Sequence, residues 1–361
     1  MPHLFSELKL KDITLRNRIG VAPMCQYSSV DGMANDWHMV HLGSRAVGGA
    51  GLIICEATAV SPEGRITPHD AGLWNDAQIE PLRRITAFQK EHGAVPAVQL
   101  AHAGRKASAA RPWQGGKQLT NDEGGYDTIA PTDKAFDPDG RLPKVPKQMD
   151  KADIERVQHA FVEAAKRSLE AGYELLELHA AHGYLLHSFF SPLVNDREDN
   201  YGGTLENRAR MLLETTKAVR EVWPERLPLA VRLSASDWLE GGLTIDDNVQ
   251  MARWLKDLGV DIIDCSSGGA SAVSRTSLSG SVEDQVGLAA QIRREADIMT
   301  MAVGAITEAK QADEIVASGQ ADVVLMAREY LRDPYWPYRA AKALGVEDKH
   351  IMSEQNAFWV G

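Results

Sequence analysis

Apolar residues in this chain fall into short, almost continuous runs, and the segments between them carry the three-to-four-residue spacing of amphipathic helices. Such runs are typical of parallel strands, because helices cover both faces of a parallel sheet. We predict eight strands, over residues 19–24, 51–57, 94–101, 175–179, 229–233, 261–266, 298–303 and 322–326. Eight β/α units favour an α/β fold of the (β/α)8 TIM-barrel type over an open doubly wound sheet, whose glycine-rich first turn is absent.

Two of the helices between the strands have recognisable ends. Asp150 and Thr244 are predicted N-caps, and Gly172 and Gly259 end the helices that these residues begin. A third helix is predicted over residues 76–92. Each of these helices leads directly into the next predicted strand, which is the short connection that a barrel requires.

Two segments lie outside this repeat. Residues 105–150 follow the third strand and contain five prolines and five glycines with little periodicity. Long loops are usually functional, and barrel active sites lie at the carboxyl ends of the strands, so we predict that residues 105–150 cap the site. Residues 4–16 alternate like a hairpin and are expected to plug the opposite mouth. We expect a single domain over residues 1–361, with a tail over 340–361.

Composition and charge narrow the class of protein. Of 361 residues, 44% are apolar and 25% are charged, which is typical of a globular chain. The net charge of −11 argues against nucleic acid or an anionic membrane as a partner. The longest uncharged apolar stretch, 46–55, is much shorter than the about 20 residues of a membrane span, and no secretory signal is recognisable. Cys25, Cys55 and Cys265 cannot form a disulfide framework or a paired-cysteine metal site. We therefore expect a cytoplasmic enzyme.

Polar and small residues follow the predicted strands and are expected to gather at one mouth of the barrel. Gln99 and Arg232 offer an amide and a guanidinium inside it. Small residues follow the last three strands, where phosphate commonly binds in such barrels, and Arg328 adds a positive charge there. A flavin needs an amide for its pyrimidine edge and a cation near N1. The pattern therefore suggests a flat, anionic cofactor.

The segment His179-x-x-His182-Gly-Tyr184 follows the fourth strand. Two neutral imidazoles can both donate hydrogen bonds to a carbonyl oxygen that gains negative charge, and the tyrosine can protonate the neighbouring carbon. Paired histidines also suit Zn²⁺ or Fe²⁺. From these residues alone, carbonyl recognition and a metal site are equally good interpretations, and purely structural histidines are a weaker third.

Longer motifs surround these residues. They are HAAHGYLLHSFFSPLVNDREDNYGGTLENR at 179–208, PMCQY at 23–27, QLAHAGRK at 99–106 and GGL at 241–243. Together they resemble the Old Yellow Enzyme family of FMN-dependent ene-reductases, and the resemblance extends over about residues 5–339. The combination of Cys25 and Tyr27 resembles the sequences of the bacterial thermophilic-like branch of this family, which includes the xenobiotic reductases.

The resemblance implies bound, non-covalent FMN, with NADPH as reductant, and a small enone or nitro substrate reduced by a ping-pong hydride transfer. The residues that would contact FMN are Pro23, Met24, Cys25, Ala57, Gln99, Arg232, Gly304, Ala327 and Arg328. The catalytic residues that it implies are Cys25, His179, His182 and Tyr184. The substrate-binding residues that it implies are Tyr27, His179, His182, Tyr184 and Trp359.

Each implied role is specific. The two histidines would hold the substrate carbonyl and the nicotinamide amide, and Tyr184 would donate the proton. Cys25 would tune the flavin potential, Tyr27 would help to hold the carbonyl, and Lys106 would lie near the substrate mouth. No metal is expected.

Other residues have simpler interpretations. Cys55 and Cys265 lie inside strands and are expected in the core. We predict that His102 and Arg105 order the long loop and that His187 is structural. The polar residues Asn195, Arg197, Asp199, Tyr201 and Asn207 are expected to brace the start of the following helix.

The carboxyl terminus departs from part of the family. Related members often end with an arginine that reaches into a neighbouring subunit's site, and no arginine follows Arg339 here. Trp359 instead resembles the tryptophan with which xenobiotic reductases close the partner's pocket. We therefore expect a homodimer or homotetramer with shared sites, the alternative being a tail that packs on its own barrel.

Two other classes of function remain open from the sequence. A metal-dependent barrel hydrolase could use the paired histidines, although no carboxylate-rich ligand set is evident at the same mouth. A flavin-binding protein without turnover is disfavoured by the tyrosine beside those histidines. Larger relatives with an iron–sulfur cluster need four cysteine ligands, which three scattered cysteines cannot supply.

Overall fold

Eight parallel strands close into a barrel in the computed structural model, which describes residues 2–273, 285–346 and 351–360. Each strand pairs with its neighbours in sequence, and the last strand pairs with the first. The strands are β1 Ile19–Val21, β2 Leu52–Ala59, β3 Val95–Ala101, β4 Leu175–Ala180, β5 Leu229–Ser234, β6 Ile262–Ser266, β7 Met299–Val303 and β8 Val323–Met326. The predicted (β/α)8 TIM barrel is therefore confirmed.

Helices connect the strands and cover the outside of the barrel. They are α1 Asp36–Val47, α2 Ile79–Glu91, α3 Lys151–Glu170, α4 Leu185–Phe190, α5 Leu205–Val222, α6 Ile245–Asp257, α7 Gln285–Ala296, α8 Ala309–Ala317, α9 Arg328–Arg332, α10 Trp336–Ala343 and α11 Glu354–Val360. The predicted N-caps are confirmed, because the side chains of Asp150 and Thr244 accept backbone N–H bonds at the starts of α3 and α6. Helix α3 buries Ile154, Val157 and Phe161 against the sheet.

Two predicted boundaries differ from the structure by three residues, and the other boundaries predicted for the barrel strands differ by at most two. The strand predicted over 19–24 ends at Val21, and the segment from Ala22 to Ser29 runs as an irregular loop. Pro23 lies in that loop and has no N–H to continue a ladder. The helix predicted over 76–92 begins with a separate 3₁₀ turn, Asp76–Gln78, before α2.

A short hairpin closes the amino-terminal mouth of the barrel, as predicted for residues 4–16. Its strands, Leu8–Leu10 and Ile13–Leu15, pair antiparallel. Leu10 and Leu15 are buried, and the N–H of Asp12 donates to the carbonyl of Arg226, just before β5. The hairpin thereby seals the end of the barrel that lies opposite the carboxyl ends of the strands.

The loop over residues 105–150 is held by its own first residue. The Arg105 guanidinium donates to the carbonyl of Ala270 at 2.6 Å and to the carbonyls of Lys134 and Ala135. The prediction that Arg105 orders this loop is thus confirmed. Short strands at Ile129–Ala130 and Lys147–Gln148 pair within the loop, which otherwise consists of short 3₁₀ helices, turns and irregular segments.

The tail predicted over 340–361 begins within α10 and includes α11, while residues 347–350 and 361 lie outside the described residues. Ile351 is buried, whereas Phe358 and Trp359 are 79% and 80% exposed. Among the described residues, no helix is both long and apolar enough to cross a membrane.

Candidate active site

The turn after β4 brings the predicted histidines and tyrosine together. The imidazole rings of His179 and His182 lie 5.1 Å apart between centroids, and the Tyr184 ring lies 4.9 Å from that of His179. His182 has a positive φ of 61°, and Gly183 follows with a φ of 75°. A Cβ at Gly183 would lie 2.0 Å from the carbonyl oxygen of Gly269, so only glycine fits there.

Hydrogen bonds determine which nitrogen atoms of the two imidazole rings are already engaged within the protein. The Nδ1 of His179 accepts from the N–H of Ala181, so its proton lies on Nε2. Burial lowers the pKa of His179 well below its ordinary value, which keeps this ring neutral. The Nε2 of His182 contacts the Ser266 hydroxyl at 2.7 Å, and its backbone N–H donates to the Ser234 hydroxyl. The site therefore holds a neutral donor beside a second, anchored imidazole.

Lys106 links the capping loop to this turn. Its ammonium group donates to the carbonyl of His182 at 2.8 Å. The same group lies 4.4 Å from the ring centre of Phe136 and 5.1 Å from that of Tyr184. The expectation that Lys106 lies near the substrate mouth agrees with this position. A cavity of about 240 Å³ opens here, lined among others by Tyr27, Lys106, Arg141 and Tyr184.

The loop that carries Cys25 and Tyr27 depends on a carboxylate that the motifs did not single out. Glu56, buried in β2, accepts from the N–H of Gln26 at 2.8 Å. Its other carboxylate oxygen lies 3.2 Å from the Nε2 of His38 in α1. A charged residue within an otherwise apolar buried strand was the available signal for this brace.

The Cys25 and Tyr27 side chains are protonated in this environment. Burial raises the pKa of the Cys25 thiol well above its ordinary value, so the group is a weak S–H donor rather than a thiolate. Burial raises the pKa of the Tyr27 phenol in the same way. Tyr27 has a positive φ of 50° and packs edge-on against Trp113 of the capping loop.

Gln99 and Arg232 lie inside the barrel beneath this mouth and are 1% and 6% exposed. The Gln99 amide nitrogen donates to the Glu177 carboxyl at 2.7 Å, and the Arg232 Nε lies 3.0 Å from Asp264. Arg232 Nε has no hydrogen bond of good geometry, although it is buried. Buried amide and guanidinium groups suit the polar pyrimidine edge of a flavin, so the donor set fits FMN.

The remaining predicted cofactor residues lie at the carboxyl ends of four strands. Pro23 and Met24 follow β1, and Ala57 lies at an irregularity in the register between β2 and β3. Gly304 follows β7 with a φ of 116°. Ala327 and Arg328 stand at the start of α9, directly after β8. Because the carboxyl ends of parallel strands meet at one mouth, these residues lie at the same end of the barrel as the two histidines.

Other predicted residues have structural roles or lie elsewhere in the fold. Cys55 and Cys265 are buried core residues, as predicted. His187 accepts from the Gly183 N–H and contacts Asp237, which confirms a structural role. Trp359 is exposed on α11 and lines no part of the cavity beside Tyr184. No cluster of three or more histidine, cysteine, aspartate or glutamate side chains suited to a metal occurs in the described part of the chain.

Comparisons with known proteins agree with this geometry. The profile of the NADH:flavin oxidoreductase / NADH oxidase family matches residues 3–347. An NADPH dehydrogenase of Geobacillus sp. (strain WCH70) is 48% identical over 344 residues, covering 95% of this chain and 94% of that protein. An NADPH dehydrogenase of Listeria monocytogenes serovar 1/2a is 46% identical over 347 residues, covering 96% of each.

Solved structures lead to the same family. An old yellow enzyme homologue from Zymomonas mobilis superimposes with a TM-score of 0.79 at 28% identity, covering 95% of this chain and 93% of that one. Morphinone reductase in complex with tetrahydroNAD superimposes with a TM-score of 0.77 at 26% identity, covering 100% and 95%. The chain therefore belongs to the NADH:flavin oxidoreductase / NADH oxidase family and is an FMN-dependent oxidoreductase with the barrel of the old yellow enzymes.

Proposed function

We propose that the protein is an NADPH-dependent ene-reductase that saturates the C=C bond of α,β-unsaturated carbonyl compounds. The observation that carries this proposal is the convergence of His179, His182 and Tyr184 at the barrel mouth, with ring centroids about 5 Å apart. The curated relatives are named NADPH dehydrogenases, which supports NADPH as the reductant.

The chain offers candidate groups for both ends of FMN. Gln99 and Arg232 would hold the pyrimidine edge, while Gly304, Ala327 and Arg328 would take the phosphate end. Pro23, Met24, Cys25 and Ala57 would contact the ring system from the ends of β1 and β2. When bound, FMN supplies the hydride relay between NADPH and the alkene.

The paired histidines supply the electrostatic part of catalysis. The neutral His179 donates from Nε2, and His182 is anchored beside it by Ser266. Hydrogen bonds to the substrate carbonyl strengthen as negative charge develops on its oxygen. Removing one donor of this kind costs about 2.7–4 kcal/mol in the barrier. The same donors would hold a nicotinamide amide, so reductant and substrate would take turns in one place, giving ping-pong kinetics.

Tyr184 is the proton donor in this proposal. Its ring lies edge-on to His179, so its hydroxyl belongs to the same group of side chains that holds the carbonyl. Protonation of the α-carbon by Tyr184 completes the addition that the hydride begins at the β-carbon. Tyr27 would help to hold the carbonyl, and the Cys25 thiol would tune the potential of the adjacent cofactor as a weak donor.

An anaerobic titration tests the proposal. Purified protein reconstituted with FMN should be yellow, bleach on addition of NADPH and recover its colour on addition of cyclohexenone. Tyr184→Phe should bleach normally and recover slowly, because only proton delivery is lost. Recovery with a nitro compound but not with the enone would instead make nitro groups the substrates. A protein that never acquires colour with FMN would contradict the cofactor assignment.

A further inference from the structure

One layer of the barrel interior is polar, where barrels of this type are usually filled by valine, isoleucine and leucine. Gln99, Glu177, Arg232 and Asp264 project inward from the adjacent strands β3, β4, β5 and β6. Glu177 and Asp264 are 0% exposed. Burying charges this deeply is costly unless they are paired, so the layer requires a functional or electrostatic explanation.

The four side chains form one connected chain of contacts. Gln99 donates its amide N–H to Glu177 at 2.7 Å. The Glu177 and Asp264 carboxyls lie close enough for each to shift the pKa of the other. Asp264 in turn lies 3.0 Å from the Arg232 Nε. Strand register produces this order, because Gln99 stands beside Glu177 and Arg232 stands beside Asp264 in the barrel.

Charge counting determines the protonation of this layer. Two carboxylates in contact with one guanidinium would leave an uncompensated negative charge at the centre of the protein if both were ionised. A proton on one carboxyl removes that charge and supplies an O–H that can donate to the other carboxyl. Arg232 lies against Asp264, which favours the ionised form there. Burial, and then the charge of Asp264, raise the pKa of Glu177 well above its ordinary value, in agreement with the proton residing on Glu177.

We propose that Glu177 holds a proton and, together with Asp264, positions Gln99 and Arg232 for the pyrimidine edge of FMN. With one amide N–H committed to Glu177, the Gln99 carbonyl oxygen is turned away from it. With the Nε edge of the guanidinium 3.0 Å from Asp264, the terminal N–H groups of Arg232 remain for a ligand. Glu177 and Asp264 are therefore positioning residues, and this role rests on the proposed FMN site.

The protonation of Glu177 is tested without any cofactor. The infrared spectrum of the purified full chain, produced with ¹³C-labelled glutamate, should contain a protonated-carboxyl band that shifts with the label. The band should be absent in Glu177→Gln. A wild-type spectrum without a label-sensitive band, or a band that persists in Glu177→Gln, would overturn the proposal. Because this measurement does not depend on FMN, it remains decisive even if the cofactor assignment fails.

The midpoint potential of bound FMN tests the positioning role. Glu177→Gln replaces one neutral hydrogen-bonding group by another, so the potential should not change. Asp264→Asn removes the counter-charge of Arg232 and should raise the potential, because a stronger positive field stabilises reduced, anionic FMN. Asp322→Asn, the same charge change at the opposite mouth of the barrel, is the matched control. A rise in Glu177→Gln equal to that in Asp264→Asn would show that Glu177 is ionised and would overturn the proposal.

FMN affinity gives a second measurement should Asp264→Asn fail to fold. Glu177→Leu removes the hydrogen bond that orients Gln99 and should weaken FMN binding about tenfold, the worth of one well-formed hydrogen bond. Glu177→Gln can still accept from Gln99 and donate to Asp264, so its affinity should match that of the wild type. Equal affinities for Glu177→Leu and the wild type would contradict the positioning role.

Discussion

At the scale of single residues, the chemistry of the mouth depends on which atom of each side chain is already engaged. His179 accepts a backbone N–H at Nδ1, and His182 contacts Ser266 at Nε2, so local hydrogen bonds select the atoms that meet a substrate. Inside the barrel, Glu177 accepts from the Gln99 amide and Asp264 lies beside the Arg232 guanidinium, so each carboxyl orients its neighbour in the same way. The residue types are visible in the sequence, but the engaged atoms are not.

His182→Ala should slow reoxidation of the reduced enzyme by an enone by a factor that corresponds to about 2.7–4 kcal/mol, because one donor to the developing oxyanion is lost. FMN affinity should remain close to that of the wild type, since His182 is not among the residues expected to hold the cofactor. Stopped-flow absorbance of both half-reactions measures the effect. His159→Ala, which removes an exposed histidine of α3, is the control. Equal losses of FMN binding and reoxidation would contradict the assignment.

Because of His102, the free energy of unfolding should depend on pH. Burial lowers its pKa from 6.5 to about 4, so the folded protein keeps this ring neutral while the unfolded chain takes up a proton below about pH 6.5. The contribution of the neutral His102 ring to the free energy of unfolding is fully present above pH 6.5 and is lost as the pH falls towards 4. Between pH 6.5 and 5 the loss from this residue is up to about 2 kcal/mol.

Urea unfolding on either side of that window measures the effect of His102. In His102→Gln the difference in unfolding free energy between neutral pH and about pH 5 should shrink, because no imidazole titrates at this position. The glutamine carbonyl can still accept the Gly104 N–H that His102 Nδ1 accepts. An unchanged pH dependence would show that His102 already titrates normally in the folded protein.

At the scale of elements, irregular segments rather than strands or helices determine the shape of the mouth. The loop that contains Cys25 and Tyr27 is held by Glu56 of β2, and the capping loop over 105–150 is held by Arg105. Both anchors are buried charged groups that bond to backbone atoms of distant segments. Such contacts hold loops at fixed positions, because Glu56 compensates one buried backbone N–H and Arg105 compensates three backbone carbonyls.

Arg105→Ala should free the capping loop from Ala270, Lys134 and Ala135. We expect a raised KM for the enone, because the loop lines the cavity beside Tyr184, and a smaller change in kcat at saturation. Steady-state kinetics with varied enone and a fixed NADPH concentration separate the two effects. Arg83→Ala, on the outer face of α2, is the control. An unchanged KM would show that the loop keeps its position without Arg105.

At the scale of the whole molecule, the carboxyl-terminal tail exposes aromatic surface that a single copy of the chain does not bury. Phe358 and Trp359 pack against each other at 5.0 Å between ring centroids and are both about four-fifths exposed. Exposed apolar groups of this size are typical of interaction sites. The surface is therefore consistent with the expected homodimer or homotetramer, in which Trp359 would close a partner's site.

Deleting residues 358–361 should change the KM for the enone and lower the oligomeric state or its stability, because the paired aromatic side chains are lost. Light scattering and steady-state kinetics on the same preparation measure both. Val273→Ala removes an exposed apolar side chain elsewhere and serves as the control. Kinetics and assembly identical to those of the wild type would contradict a shared site.

The sequence by itself determined the eight-stranded barrel, the hairpin plug, the capping loop and the motif that contains His179, His182 and Tyr184. Apolar runs, helix caps and short motifs are local features, and the strand ends of a parallel barrel must meet at one mouth. Only the tertiary structure decided that Glu56 supports the Cys25 loop, that Arg105 bridges to Ala270, and that Glu177 and Asp264 share one buried layer. These contacts join residues far apart in the chain, and their strength depends on burial and charge compensation, which arise only when the barrel closes.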